Sequence, residues 1–299
     1  MATWGDRRGS TMGAEPEKVV CEKCKHESDY SQVHCRCGNF LGFPNYRAAL
    51  AEQTALQARY AAARADAATR GVEALLSDLE GIAERALPTI AMPLDVCDLI
   101  LRSDKYRNYS QRVARRERPP AAQWDHGNRM MVNERLFPNY GQHIVFAALS
   151  ADGRGLASFG VVAMTWNVTE HYLGQRATLL EENSYAFFER HSLGGLSGAG
   201  APSGYRAIWQ DRCLLVTAKL ASRLTPATAR SSLEKLLFSV GVSKMTDDYV
   251  EVTIYAEDDG LDTLDVARVT LLGKVATPDE NDLWARIEAS CARRKIAVG

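Results

Sequence analysis

The chain has 299 residues, 46% of them hydrophobic and 24% charged, enough for a full core and for more than one folded unit. Its formal net charge of −1 excludes a protein that coats nucleic acid or an acidic membrane by bulk attraction, so any such contact must come from a local patch. No stretch approaches the roughly 20 apolar residues that cross a bilayer, and the chain reads as cytoplasmic, with no membrane contact.

Segment 1–17 is polar, without the apolar centre of a signal peptide, and reads as a disordered leader. Segment 18–44 is the first folded unit. Four of the seven cysteines crowd there, as Cys21-Glu22-Lys23-Cys24 and Cys35-Arg36-Cys37-Gly38. In a reducing compartment such crowding points to a metal rather than to disulfides. Two tight knuckles aim thiolate pairs at one tetrahedral ion, which predicts a zinc ribbon whose structural Zn2+ is held by Cys21, Cys24, Cys35 and Cys37. The second knuckle is Cys-x-Cys rather than Cys-x-x-Cys, so His34 stands as the alternative to Cys35. Cys97, Cys213 and Cys291 lie among apolar or helical neighbours and read as free, buried thiols.

Residues 45–87 read as a helical connector, with Asn45 as its N-cap. The Ala-rich run from Tyr46 to Arg70 combines high helix propensity with a thin apolar stripe. Gly71 breaks it, and a second helix through Leu75, Leu79 and Ile82 ends before Pro88. The pair either forms a coiled-coil arm or lies on the next domain.

Residues 88–299 read as a mixed α+β domain. An apolar helix from Leu94 to Leu101 leads into a basic run, 102–118, with Arg102, Lys105, Arg107, Arg112, Arg115, Arg116 and Arg118 around Tyr106 and Tyr109. Basic residues interleaved with aromatics suit contact with single-stranded RNA or DNA. The balancing acids include Asp247, Asp248, Glu257, Asp258, Asp259, Asp262 and Asp265. Strands are predicted at Ile144–Leu149, Val161–Trp166, Val250–Tyr255 and Val266–Leu272, and helices at 207–223 and 228–240. A Gly/Ser-rich loop, Gly194–Gly204, reads as a cover or linker. The order favours α+β over a doubly wound sheet, and neither Gly-x-Gly-x-x-Gly nor a phosphate-binding Gly-Lys-Ser is present.

In the strand Val250–Tyr255, Val250, Val252 and Ile254 alternate with Glu251, Thr253 and Tyr255, the period of a strand with one face in a core. That pattern puts Glu251 on the opposite, wet face. The aromatic-Gly strand Phe159-Gly160-Val161, the Arg176-Ala177-Thr178 fragment followed by Asn183-Ser184, and the lone Glu251 before Leu261-Asp262-Thr263-Leu264-Asp265 together resemble bacterial ADP-ribosyltransferase-like domains over roughly 140–273. The resemblance implies NAD as substrate, Glu251 as catalytic carboxylate, and Arg176, Thr178, Asn183, Ser184 and His143 as NAD-binding residues, with Arg129 and Arg212 as reserve partners for the pyrophosphate. Members that modify arginine often carry a second acid two residues before the catalytic Glu; Tyr249 stands there, which leaves nucleic acid, another side chain or NAD hydrolysis open. A toxin or phage-defence effector acting on a protein or nucleic-acid acceptor is the expectation that follows. From another class come a non-enzymatic zinc-ribbon adaptor that binds nucleic acid or a partner protein, and a scaffold whose helical arm dimerises.

Overall fold

The structure is a computed structural model that describes residues 18–168, 173–194, 200–239 and 247–299. The predicted leader, residues 195–199 of the Gly-rich loop and residue 240 of the second predicted helix lie outside the described residues. Strands β1 (Lys18–Val20) and β2 (Glu27–Asp29) form the hairpin of the ribbon. Helices α1 (Pro44–Ala51), α2 (Gln53–Thr69) and α3 (Glu73–Arg85) follow, with Gly71 at φ +68 making the break between the last two. Next come β3 (Leu87–Met92), α4 (Leu94–Ser103), β4 (Lys105–Tyr106), α5 (Tyr109–Ala114) and α6 (Gln123–Leu136). Asn108 starts α5 with a reciprocal capping box to Gln111.

The remaining strands are β5 (Ile144–Ser150), β6 (Val162–Trp166), β7 (Ala177–Leu180), β8 (Arg206–Ile208), β9 (Phe238–Ser239), β10 (Asp248–Tyr249), β11 (Glu251–Tyr255), β12 (Leu261–Asp262), β13 (Val266–Leu271) and β14 (Ala297–Val298). Helices α7 (Ser184–Arg190), α8 (Arg212–Leu220), α9 (Leu233–Leu237) and α10 (Pro278–Arg294) lie between or after them. Eight strands make one sheet in the order β14-β13-β6-β3-β5-β11-β7-β8, antiparallel except for the β13–β14 pair. The fold is mixed α+β.

Both faces of this sheet are covered. Val252 and Ile254 of β11, Val145 and Leu149 of β5, and Met164 of β6 share one buried cluster with side chains of α2, α3, α4, α8, α9 and α10. Ile144, Leu180 and Tyr255 face the other way and pack with Phe43, with Val132 and Leu136 of α6, and with Phe187 and Phe188 of α7. All five residues of β11 are therefore buried, and the wet face predicted for Glu251 is instead an interior wall.

Other differences have local causes. The predicted helix at 207–223 begins as β8, and α8 occupies only 212–220. β3 lies at the centre of the sheet although Pro88 marks a helix end in the sequence. Pairing of β3 with β6 begins only at Thr89, so the missing Pro88 N–H interrupts no ladder on that side. The helices α2 and α3 do not stand off as an arm, since Leu56, Leu76 and Leu79 belong to the main buried cluster. Gly160 has a steric reason: a Cβ there would fall 2.0 Å from the carbonyl carbon of Met92.

Asn45 is not the N-cap of α1, a place taken by Phe43 with Pro44 behind it. It is buried, and its amide donates to the carbonyls of Arg176 and Thr253 at 2.7 and 3.2 Å and to the Thr178 hydroxyl at 3.2 Å. One side chain thus pins α1 across β7 and β11. Asn45→Ala should lower the free energy of unfolding by about 1–3 kcal/mol, the cost of stripping donors from buried acceptors, as measured by urea denaturation.

Candidate active site

A cavity of about 390 Å3 opens on the second face of the sheet, between β3, β5 and β11 on one side and α6 and the start of α7 on the other. Trp124, Asp125, Asn128, Arg129, Val132 and Asn133 line it from one side of α6, the spacing of a single helix face. Tyr109 and Ser110 close one end, and Asn183, Ser184, Tyr249 and Glu251 another. Most of the wall is apolar and the polar groups are few, the usual build of a small-molecule site.

Glu251 is 2% exposed. Its Oε1 accepts the Ser184 N–H at 3.1 Å, and the Ser184 and Tyr249 hydroxyls donate to the same carboxylate. Asn183 fixes this arrangement twice over. Its Oδ1 caps α7 by accepting from Tyr185 N and Ala186 N, while its Nδ2 donates to the Tyr249 hydroxyl oxygen at 2.6 Å. Because that oxygen already accepts from an amide, the phenol proton is left to point at Glu251. Burial pushes the Glu251 carboxyl up to about 8 against the pull of these donors, and no basic side chain contributes to holding it down. Tyr249 is raised well above its ordinary value, chiefly by the same burial and then by the Glu251 charge.

Of the residues predicted for NAD binding, Asn183 and Ser184 adjoin Glu251. The other three lie outside the cavity. Arg176 pairs with Glu257 at 3.0 Å and covers the Phe43 ring at 4.5 Å. The Thr178 hydroxyl is buried against the Thr253 hydroxyl at 2.7 Å. His143 stacks near Tyr255 at 5.4 Å, with Nδ1 3.5 Å from Asp258, and burial lowers its pKa. The reserve Arg212 donates to the carbonyls of Ala83, Glu84 and Trp209. Arg129 alone among these arginines lines the cavity, paired with Asp125 at 3.1 Å and 5.3 Å from the Tyr109 ring. The sequence pattern leaves α6 unassigned and so passes over Trp124 and Asn128, while Tyr109 stands out there only as part of the basic run. The available signal was the helical spacing 124, 125, 128, 129, 132, 133.

The basic run faces acid. Lys105 pairs with Asp259 and Asp262 at 3.2 and 3.1 Å, Arg102 with Asp98 at 3.1 Å, and Arg107 with Glu117 at 3.2 Å. The thiols outside the ribbon are also accounted for: Cys97 and Cys291 are buried and Cys213 half-buried, with burial pushing them up to about 12, 11 and 11.

In the ribbon, the Sγ atoms of Cys21, Cys24, Cys35 and Cys37 lie within 4.8 Å of one another and could hold a metal ion. The knuckles are held by Lys25 N to Cys21 O at 2.8 Å and Gly38 N to Cys35 O at 2.8 Å. His34 is not in this group; its ring packs 5.6 Å from that of Phe40. Among the described residues no helix is long and apolar enough to cross a membrane. No protein-family model matches the chain, and neither a curated protein nor a solved structure proves similar to it.

Two outcomes follow from this geometry. Metal analysis of the purified protein should find one ion per chain, lost in Cys24→Ser and retained in His34→Ala. The second concerns Glu251, whose folded pKa of about 8 exceeds its ordinary 4.5. Between those values the folded protein keeps a proton that the unfolded chain has released, so this group's contribution to stability is full below pH 4.5 and is lost as pH rises through about 8. Glu251→Gln should therefore gain on the wild type by on the order of 4 kcal/mol between pH 4.5 and pH 9, read from paired urea unfolding curves.

Proposed function

We propose that the protein cleaves the nicotinamide–ribose bond of NAD and transfers ADP-ribose to a macromolecular acceptor, with Glu251 as the carboxylate beneath the ribose. The observation that carries this reading is the convergence of Glu251, Ser184, Asn183 and Tyr249 on the wall of one cavity, with no basic side chain acting on the carboxylate. A buried acid without a cation is costly to ionise, and positive charge that develops on a bound ligand as it reacts offsets that cost. The ribosyl carbon of NAD develops such a charge when nicotinamide leaves.

In this scheme the C1′–N bond breaks as nicotinamide leaves with the electron pair, and the ribosyl carbon becomes oxocarbenium-like. The ionised Glu251 stabilises that charge and accepts from the 2′-hydroxyl, the same logic by which glycosidase carboxylates act. The acceptor nucleophile then bonds to C1′ and releases a proton. Ser184 and Tyr249 hold the carboxylate in one orientation. Arg129 takes the pyrophosphate in place of Arg176, as the guanidinium on the cavity wall. The four-thiol centre holds a structural zinc, which such a small unit needs in order to fold.

The adaptor reading has one observation of its own: Val20 and Phe40 of the ribbon are 54% and 44% exposed. It gives Glu251 nothing to do. Nicotinamide release from NAD, with protein, RNA and DNA acceptors present, separates the two. Glu251→Gln should keep KM for NAD and lose about a hundredfold or more in kcat. Arg129→Ala should raise KM, and Arg176→Ala should leave it near the wild-type value. A wild-type protein that neither binds nor cleaves NAD with any acceptor rules out the transferase and favours the adaptor.

A further inference from the structure

A second cleft, of about 240 Å3, lies between α4, β4 and α5, on the far side of the 106–110 segment from the Glu251 cavity. One wall is apolar, made by Met92, Val96, Leu99 and Ile100, and the opposite wall carries Lys105, Arg107 and Arg112 against a single acid, Glu117. The charges do not cancel within the cleft. Lys105 is engaged by Asp259 and Asp262, and Arg107 by Glu117. Arg112 has no carboxylate partner among the described residues. The Nε atoms of both Arg107 and Arg112 are buried with no acceptor.

Two guanidinium groups lining one cleft with a single carboxylate between them leave net positive charge, and buried N–H donors without acceptors cost stability. A doubly charged anion relieves both, because phosphate oxygens suit the planar fork of arginine. The apolar side chains of the cleft give a flat, uncharged group something to lie on. Tyr106, which also lines the cleft, is pushed up to about 12 by burial, and the nearby Arg112 charge opposes the rise.

We propose that this cleft binds a phosphate monoester carrying a ring, as a free nucleotide or as the 5′ end of a nucleic-acid strand, with Arg112 as its main partner and Arg107 as the second. The assignment stands apart from the chemistry at Glu251, since neither arginine lines that cavity. It also gives the basic run a function that needs no bulk positive charge.

The test is calorimetric titration of the full, metal-loaded chain at low ionic strength with AMP, adenosine, inorganic phosphate and a 5′-phosphorylated hexanucleotide. AMP should bind, adenosine should bind at least about tenfold more weakly, and inorganic phosphate should compete with AMP. Arg112→Gln should weaken AMP by about tenfold or more, and Leu99→Glu, at a position already 40% exposed, should do the same by adding a repelling charge at the mouth. Both variants should keep the wild-type unfolding midpoint and wild-type NAD cleavage. A hexanucleotide that binds more tightly than AMP assigns the site to strand ends, and the reverse order assigns it to free nucleotides. Absence of AMP and phosphate binding in the wild type, or equal AMP affinity in wild type, Arg112→Gln and Leu99→Glu, overturns the proposal.

Discussion

Strand β11 is five residues long and buried on both faces, and the candidate site depends on this double cover. A single-faced sheet would leave Glu251 in water, where its carboxyl would ionise at its ordinary pH and attract no particular ligand. With α6 and α7 across the second face, the same residue becomes the polar end of an otherwise apolar hole. Burial raises its pKa to about 8, because the environment supplies donors that only partly offset the desolvation and no cation to hold the charge.

The cover is held in place from the ribbon side. Arg47 of α1 donates to the carbonyls of Leu41 and Gln32 at 3.0 and 3.2 Å and also reaches those of Tyr30 and Gly42, tying the two halves of the ribbon to one guanidinium. Two residues earlier, Asn45 pins the same helix to β7 and β11. Tyr30 lies 6.5 Å from Tyr140, which packs against Phe137 just past the end of α6. A chain of aromatic contacts therefore runs from Tyr30 of the ribbon to the end of the helix that walls the cavity.

Much of this was legible from local pattern and some was not. The strands at 144–150, 162–166, 251–255 and 266–271 announce themselves through β-branched and alternating residues, and the knuckle spacing announces the four thiols. β3 was hidden because Pro88 reads as punctuation, and its tolerance depends on pairing that starts one residue later. Asn45 has the sequence signature of a cap, but it lies beside three acceptors brought from residues more than a hundred positions away. For Arg176, no local signal distinguishes a guanidinium aimed at a ligand from one paired with Glu257 just beyond the neighbouring ends of β7 and β11. Arg129 carries no motif at all and gains its place only from the face of α6 that turns inward.

Tyr249 shows how far one position can change the chemistry of a neighbouring carboxylate. An acid in its place would put a second negative charge beside Glu251, raise both pKa values further, and offer a base to an incoming guanidinium or amine. A phenol held by Asn183 gives a proton instead of taking one, so Glu251 keeps its charge to itself and the cavity offers a single, oriented acceptor. On the proposed transferase reading, such a site would discriminate by charge at the ligand's reacting carbon and not by a second base for the acceptor. On that reading, the acceptor would have to bring a nucleophile that needs no protein base to lose its proton, or lose it to water.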